Sequence, residues 1–288
     1  MDLCRALHPS QYLVLTRFLS QNTGLPLLPA RKSRMSFVIP HDKTVCKTDD
    51  FSLTAAHRTL SVASKKYVWA GFKSLSVGVK FDISTAAFGS QYEIQQSIEK
   101  FASLWRTKSL VKDESSKIPS LAFNACSWEN CNIRVCVVVG RTCGSYSVIG
   151  SEAKSDQHNR LPTMVLDYSE SGPYGNLEWK RLVCHEFGHA YGLLHEHQSS
   201  SVPHNLQWNY ATIASYCNWS VDKVKSNFDS VYDSNTYSLF DPHSVMLYSI
   251  PASWYSCASS KFSFEQRMNS EPSSRDIEGL IEAYDKWK

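Results

Sequence analysis

The segment from Val183 to His197, VCHEFGHAYGLLHEH, constrains the fold and chemistry of this chain more than any other part of it. His185 and His189 are four residues apart, so on a helix their side chains lie about 40° apart on adjacent turns. Two imidazoles in this arrangement can bind one metal ion at the ~2.0–2.1 Å that zinc requires. Glu186 projects beside them and is poorly oriented to be a ligand, which is the position that a general base needs. The spacing predicts a helix from about Leu177 to Tyr191 that carries a metal site.

A third ligand follows this helix. Gly192 comes three residues after His189, and glycine ends helices readily because it adopts the left-handed conformation at little cost. His195, three residues further on, can then approach the metal ion from another side. Three neutral imidazoles leave a fourth position open for water, which is typical of a catalytic zinc site. We therefore expect one Zn²⁺ per chain, bound by His185, His189 and His195.

The length of the pattern argues against a chance origin. A helix with two surface histidines is the alternative for HExxH alone, which would occur in roughly one or two shuffled chains per hundred. Requiring Gly192 and His195 as well lowers that expectation by roughly three further orders of magnitude.

A second motif lies downstream, where Ser244 to Tyr248 (SVMLY) follows Asp241-Pro242. Together with HExxHxxGxxH, this segment resembles the Met-turn of the metzincin superfamily of zinc peptidases. The tyrosine two residues after Met246 and the pair His195-Glu196 are similar to the astacin type. The whole active-site stretch most closely resembles astacin-like or matrixin-like peptidases of fungi and bacteria.

This resemblance, which covers roughly residues 60–288, implies an α+β fold and an activity. The fold is the two-lobed, zincin-like one, with a twisted mixed five-stranded sheet and two long helices. A mostly irregular C-terminal lobe that ends in a helix completes it. The activity is that of a zinc metalloendopeptidase, with Glu186 as the general base and Tyr248 supporting the oxyanion. Extended protein or peptide segments would be the substrates.

Two alternatives remain at this point. The chain could be a catalytically silent zincin-like binding module, although every ligand, the base and the tyrosine are present. It could also use a downstream glutamate as the third ligand, against which His195 at the metzincin spacing argues strongly.

The order of predicted elements agrees with the α+β class. Strands are expected at Leu75–Phe81, Ser120–Asn124, Ile133–Val139, Ser145–Gly150 and Pro162–Tyr168. Besides the metal-binding helix, we expect helices at about Gln91–Arg106, at about Ser220–Phe228 and after Ser273 or Ser274. The resemblance to metzincins implies that Ser145–Gly150 lies at the sheet edge, where it could pair with substrate or merely meet solvent.

Composition limits the partners and the compartment. A net charge of +3 among 288 residues gives no reason to expect nucleic acid as a partner, and no apolar run approaches the length that crosses a bilayer. Nine cysteines, four of them between positions 126 and 143, favour disulfides and hence a secreted protein, although no convincing signal peptide is visible. We expect a monomer with an N-terminal extension at residues 1–55, a leader or pro-segment, and a catalytic domain at 56–288.

The remaining histidines and tryptophans are interpreted as structural. Surface or core positions, rather than metal ligation, are expected for His158, His197, His204 and His243. Core positions, rather than substrate contacts, are expected for Trp69, Trp105, Trp179 and Trp254.

Overall fold

A computed structural model describes most of the chain from Ala63 onward. The described residues are 63–82, 90–107, 114–139, 145–155, 158, 160–168, 176–202, 206–230, 240–257, 263–264 and 269–287. The predicted extension at residues 1–55 and His204 lie outside them.

A five-stranded mixed sheet forms the first part of the molecule. Its strands are β1 (Ser74–Phe81), β2 (Ser120–Phe123), β3 (Ile133–Val138), β4 (Tyr146–Ser147) and β5 (Met164–Asp167). The spatial order is β2-β1-β3-β5-β4, and all neighbours are parallel except β4, which runs antiparallel to β5 at the edge. β3 is buried along its whole length, as expected for a central strand covered on both faces. The predicted sheet and its edge strand are confirmed.

Two long helices pack with the sheet, and a third closes the chain. They are α1 (Gln91–Ala102), α3 (Leu177–Tyr191) and α6 (Ser274–Lys286). Each begins at a side-chain cap, provided by Ser90, Asn176 and Ser273 respectively. A large core cluster lies between these helices and the sheet, and it includes Trp69, Trp105 and Trp179. Those three tryptophans and Trp254 are at most 2% exposed, as predicted.

The C-terminal part contains more regular structure than its sequence predicts. In addition to the expected α5 (Val221–Phe228), it has α4 (Tyr210–Cys217) and a two-stranded antiparallel sheet of β6 (Leu206–Trp208) and β7 (Tyr255–Cys257). Asn209 caps the start of α4, and Asn218 ends it in the left-handed conformation. A second core cluster lies here, built around Phe228, Trp254 and other apolar side chains.

The helix expected at Gln91–Arg106 is interrupted. α1 ends at Ala102 and a single turn, α2 (Leu104–Thr107), follows it. The Ser103 hydroxyl donates to the Lys100 carbonyl and so competes with the backbone hydrogen bonds of a continuous helix.

The predicted use of cysteine in disulfides is confirmed by one bond, between Cys126 and Cys131. Cys184, on the helix that carries His185 and His189, is fully buried, and its thiol donates to the Phe101 carbonyl. None of the described helices is long and apolar enough to span a bilayer.

Candidate metal centre

The three histidines of the long motif meet at one point in the structure. One nitrogen from each of His185, His189 and His195 lies within 4.8 Å of the other two. The Nε2 atoms of His189 and His195 are 3.1 Å apart. Two zinc ligands at tetrahedral angles are separated by ~3.3 Å, so this pair is already close to a binding geometry.

Backbone geometry brings the third histidine to the first two. Gly192 ends α3 with φ of 105°, and its N–H donates to the carbonyls of Gly188 and His189. A Cβ atom at Gly192 would lie only 2.9 Å from the Tyr67 carbonyl oxygen, so both conformation and space require glycine. The chain then reverses, and His195 faces the helix that it has just left.

Carbonyl groups fix the orientation of two of the rings. His185 Nδ1 lies 2.8 Å from the Val245 carbonyl oxygen, and His189 Nδ1 lies 2.8 Å from that of Leu193. A carbonyl can only accept, so Nδ1 carries the proton in each ring. Nε2 therefore presents its lone pair to the shared site, the arrangement that metal-binding histidines adopt.

Burial keeps these imidazoles neutral, as metal ligands must be. His185, His189 and His195 are at most 8% exposed. Burial lowers the pKa of His189 to about 4, and burial together with neighbouring imidazoles lowers the pKa of His185 and His195 well below the ordinary value. Donor type, tautomer and charge state therefore all fit a zinc ion. His197 lies outside this group: it is buried, and its Nε2 donates to the Asn227 carbonyl.

The Met-turn, residues 244–248, is hydrogen-bonded at three consecutive residues to α3 and to the segment that follows this helix. His185 binds the Val245 carbonyl, the Glu196 N–H donates to the Met246 carbonyl, and the half-buried Arg181 donates to the Leu247 carbonyl. Met246 packs against α3 at Gly188, where a Cβ atom would overlap the Met246 Sδ.

Glu186 and Tyr248 flank the histidines. Glu186 is 4% exposed and Tyr248 is 6% exposed. The Tyr248 ring centroid lies 4.1 Å from that of His195 and 5.7 Å from that of His185. Burial, and then the negative charge of Glu186, raise the pKa of Tyr248 well above its ordinary value, so the phenol keeps its proton. It is therefore available as a hydrogen-bond donor.

Three buried carboxylates near the site were not predicted from the sequence. Glu196 accepts from the Asp241 N–H at 2.7 Å, and Asp241 accepts from the Ser273 hydroxyl at 2.6 Å. Asp276 accepts from Ser244 and is fully buried. A helix-capping pattern at Ser273 and Asp276 is visible in the sequence, but nothing in it reveals that this cap is buried beneath the Met-turn.

Solved structures of similar fold exist, whereas no protein-family model and no curated protein sequence matches the chain. One structure of myroilysin is 24% identical over 77% of this chain and 97% of that one, with a TM-score of 0.56. A crystal structure of myroilysin is 24% identical over 76% of this chain and 86% of that one, with a TM-score of 0.50. A hatching enzyme zinc-protease from Oryzias latipes, the medaka fish, is 16% identical over 79% of this chain and 99% of that one, with a TM-score of 0.46. The two myroilysin structures show that the chain shares their fold, and this fold is of the α+β class that the sequence predicts.

Proposed function

We propose that the protein is a zinc-dependent metalloendopeptidase that hydrolyses peptide bonds. The observation that carries the proposal is the convergence of three buried, neutral imidazoles beside a buried carboxyl group, on a fold shared with myroilysin. His185, His189 and His195 would hold one zinc ion. When bound, zinc polarises a scissile carbonyl and lowers the pKa of water at the site.

Glu186 and Tyr248 supply the remaining chemistry. Glu186 takes a proton from the attacking water and passes it to the leaving amine, as a general base and then a general acid. Tyr248 keeps its phenolic proton and donates a hydrogen bond to the oxyanion that develops on the scissile carbonyl. Burial of both groups strengthens these interactions, because little water competes for them.

The edge strand β4 supports an extended protein or peptide as the substrate. Among the described strands it pairs only with β5, so its other edge can accept a peptide as an added strand. The disulfide between Cys126 and Cys131 supports an oxidising, extracellular setting. We infer that residues 56–288 form the catalytic domain and that it acts as a monomer.

Replacement of Glu186 by glutamine tests the proposal. Glu186→Gln keeps the three histidines and loses the base, so zinc should stay near one per chain while kcat falls by roughly 10²–10⁴-fold. Glu178→Gln is the matched control, since it makes the same change at an exposed position in the first turn of the same helix. Zinc content and cleavage of a peptide library are measured for both.

Two outcomes would contradict the proposal. If Glu186→Gln retained wild-type turnover in a zinc-loaded preparation, Glu186 would not be the base. If the wild-type protein bound zinc yet cleaved no peptide in the library, the alternative of a zincin-like binding module would replace the proposed function.

A further inference from the structure

Asp276 occupies an unusual place for a helix-capping residue. It is the third residue of α6. Its carboxylate accepts from the Ser273 N–H at 2.9 Å, and the Asp276 N–H donates to the Ser273 hydroxyl. The equivalent residue of α1, Glu93, completes the same capping box at an exposed position. Asp276 is 0% exposed. Because capping needs only one carboxylate oxygen and burial of a charge is costly, the second oxygen should have a further role.

The second oxygen begins a chain of hydrogen bonds that ends on a proposed zinc ligand. Asp276 Oδ1 accepts from the Ser244 hydroxyl at 2.7 Å. The Ser244 oxygen accepts from the Met246 N–H at 2.9 Å. That N–H belongs to the same peptide group as the Val245 carbonyl, which accepts from His185 Nδ1 at 2.8 Å.

We propose that Asp276 is a positioning residue that acts on His185 through Ser244 and the Val245–Met246 peptide group, an inference that rests on the proposed function. Each bond in such a chain polarises the next, so the carboxylate makes Ser244 a better acceptor and the Val245 carbonyl a better acceptor in turn. A stronger bond at Nδ1 fixes the His185 ring and makes its Nε2 a better electron donor to zinc. Through three hydrogen bonds, Asp276 thus orients the His185 ring and strengthens its Nε2 as a donor. A carboxylate that binds a metal-ligating histidine directly has the same effect.

A second link reinforces the first. Asp276 Oδ2 accepts from the Val245 N–H at 2.9 Å, so one carboxylate holds two consecutive residues of the Met-turn. Burial raises the pKa of Asp276 to about 6, while its hydrogen bonds from Ser244, Ser273 and Val245 act in the opposite direction. At pH 7.5 the Asp276 carboxyl group is mostly ionised. The proposed series of hydrogen bonds to His185 requires this ionised state.

His189 provides an internal control. Its Nδ1 also lies 2.8 Å from a carbonyl oxygen, but that carbonyl belongs to Leu193, in the turn that follows α3, and not to the Met-turn. A change in Asp276 or Ser244 should therefore affect His185 and leave His189 unaffected. A merely structural role for Asp276, as a cap for α6, predicts no difference between the two rings.

The test combines two variants with two measurements at pH 7.5. Asp276→Asn removes the charge and keeps the size, and Ser244→Ala breaks the chain while leaving Asp276 bonded to Val245 and Ser273. Glu93→Gln, in the exposed capping box of α1, is the control. The measurements are zinc affinity, by competition with a chelator, and the Nδ1 proton resonances of His185 and His189 in zinc-loaded, ¹⁵N-histidine-labelled protein.

We expect both variants to weaken zinc binding by about tenfold, at the lower end of what the loss of a direct partner of a ligand costs. The His185 Nδ1 resonance should move upfield in both, while that of His189 and all properties of Glu93→Gln stay unchanged. In the wild-type protein the His185 resonance should already lie downfield of that of His189, a comparison that needs no variant to fold.

Wild-type zinc affinity and an unmoved His185 resonance in either folded variant would overturn the proposal and leave Asp276 as a helix cap. Neither measurement uses turnover. A protein that binds zinc in this way but cleaves no peptide would therefore contradict the proposed function and leave this inference standing.

Discussion

The two halves of the candidate metal centre are held by different means. His185, Glu186 and His189 lie on α3, where the helical backbone sets their spacing and the larger core cluster surrounds the helix. His195 and the Met-turn lie on chain segments without regular structure. Side chains hold those segments: Glu196 binds the Asp241 N–H, and Asp276 binds Ser244 and Val245.

The difference teaches how each half depends on the rest of the molecule. In the helical half, the relation between neighbouring site residues is local, because every turn of α3 repeats it. In the other half, correct placement requires hydrogen bonds between residues that are 31 to 45 positions apart in the chain. We expect substitutions in the helical half to change chemistry with little effect on folding. Removal of one of the hydrogen bonds that hold the other half should change both folding and chemistry.

The largest expected effect comes from a pair of histidines two residues apart in the non-helical half. His195→Ala should abolish turnover and leave the ion underligated, since two imidazoles on one helix remain. His197→Ala should keep zinc and lose on the order of 2 kcal/mol of stability, because a buried ring is removed. Zinc per chain after dialysis, turnover and the free energy of unfolding separate the two variants. Loss of zinc from His197→Ala but not from His195→Ala would make His197 the third ligand.

Acid should destabilise both halves of the metal-free protein. Burial lowers the pKa of His189, in the helical half, and of His197, in the other half, from the ordinary 6.5 to about 4. Between pH 6.5 and pH 4, each histidine is protonated in the unfolded protein and neutral in the folded protein. The stability that the two neutral histidines contribute is therefore full above pH 6.5 and falls as pH approaches 4. The loss is about 3 kcal/mol for each.

A single substitution tests how much of this acid-induced loss of stability comes from His197, in the non-helical half. His197→Phe keeps a ring in the core and cannot be protonated, so unfolding free energy measured against pH should fall by about 3 kcal/mol less than in the wild type. Above pH 6.5 the variant is less stable than the wild type, since the Asn227 carbonyl loses its donor. If the slope of unfolding free energy against pH were the same in the variant and the wild type, the pKa of His197 would not differ between the folded and unfolded states.

The same contrast explains which features the sequence could predict. The helix from Leu177 to Tyr191 was predicted, because the histidine spacing and Gly192 are local signals. The strands of the sheet were predictable from alternation and composition, whereas the edge position of β4 was expected from the resemblance to metzincins. The helix α4 was missed, although Asn209 and Asn218 mark its ends, since its own pattern is short. The contacts of Asp276 and Glu196 could not be predicted, because their partners lie 31 to 45 residues away in the chain and no local pattern identifies them.

Tyr248→Phe should have a smaller effect, confined to chemistry. The ring still packs beside His195 and His197, so fold and zinc content should survive. A donor used mainly in the transition state lowers kcat and kcat/KM together and leaves KM nearly unchanged. Removing one such donor costs roughly 10²–10³-fold, and zinc would share the charge here, so we expect the lower end or less.

Steady-state kinetics and the absorption spectrum of the cobalt-substituted enzyme check this prediction. We expect the spectrum to change, since the phenol lies against two of the three imidazoles. Wild-type kcat together with a wild-type spectrum would reduce Tyr248 to a packing residue. In that case the Met-turn would serve the fold and the placement of His185 only.

The smallest expected effect comes from Gly188, where the two halves touch. In an exposed helix, Gly→Ala would stabilise by about 1 kcal/mol. Here the added methyl would overlap Met246 Sδ and lie 2.7 Å from a ring carbon of Trp105. Overpacking of this kind costs about 1–3 kcal/mol, and the flexible methionine side chain can yield part of the space. The two contributions oppose each other, so Gly188→Ala should lose at most about 2 kcal/mol of stability.

Zinc affinity makes Gly188→Ala informative despite this small loss. A displaced Met246 would shift its peptide group, whose Val245 carbonyl binds His185, so zinc should bind a few-fold more weakly while α3 itself is unharmed. Gly188→Ala therefore separates the contributions of the two halves. It stabilises the helix itself and weakens the packing between the helix and the Met-turn. A variant more stable than wild type by about 1 kcal/mol, with unchanged zinc affinity, would show that Met246 adapts freely. The position of the Met-turn would then depend on Asp276 and Glu196 and not on its packing against the helix.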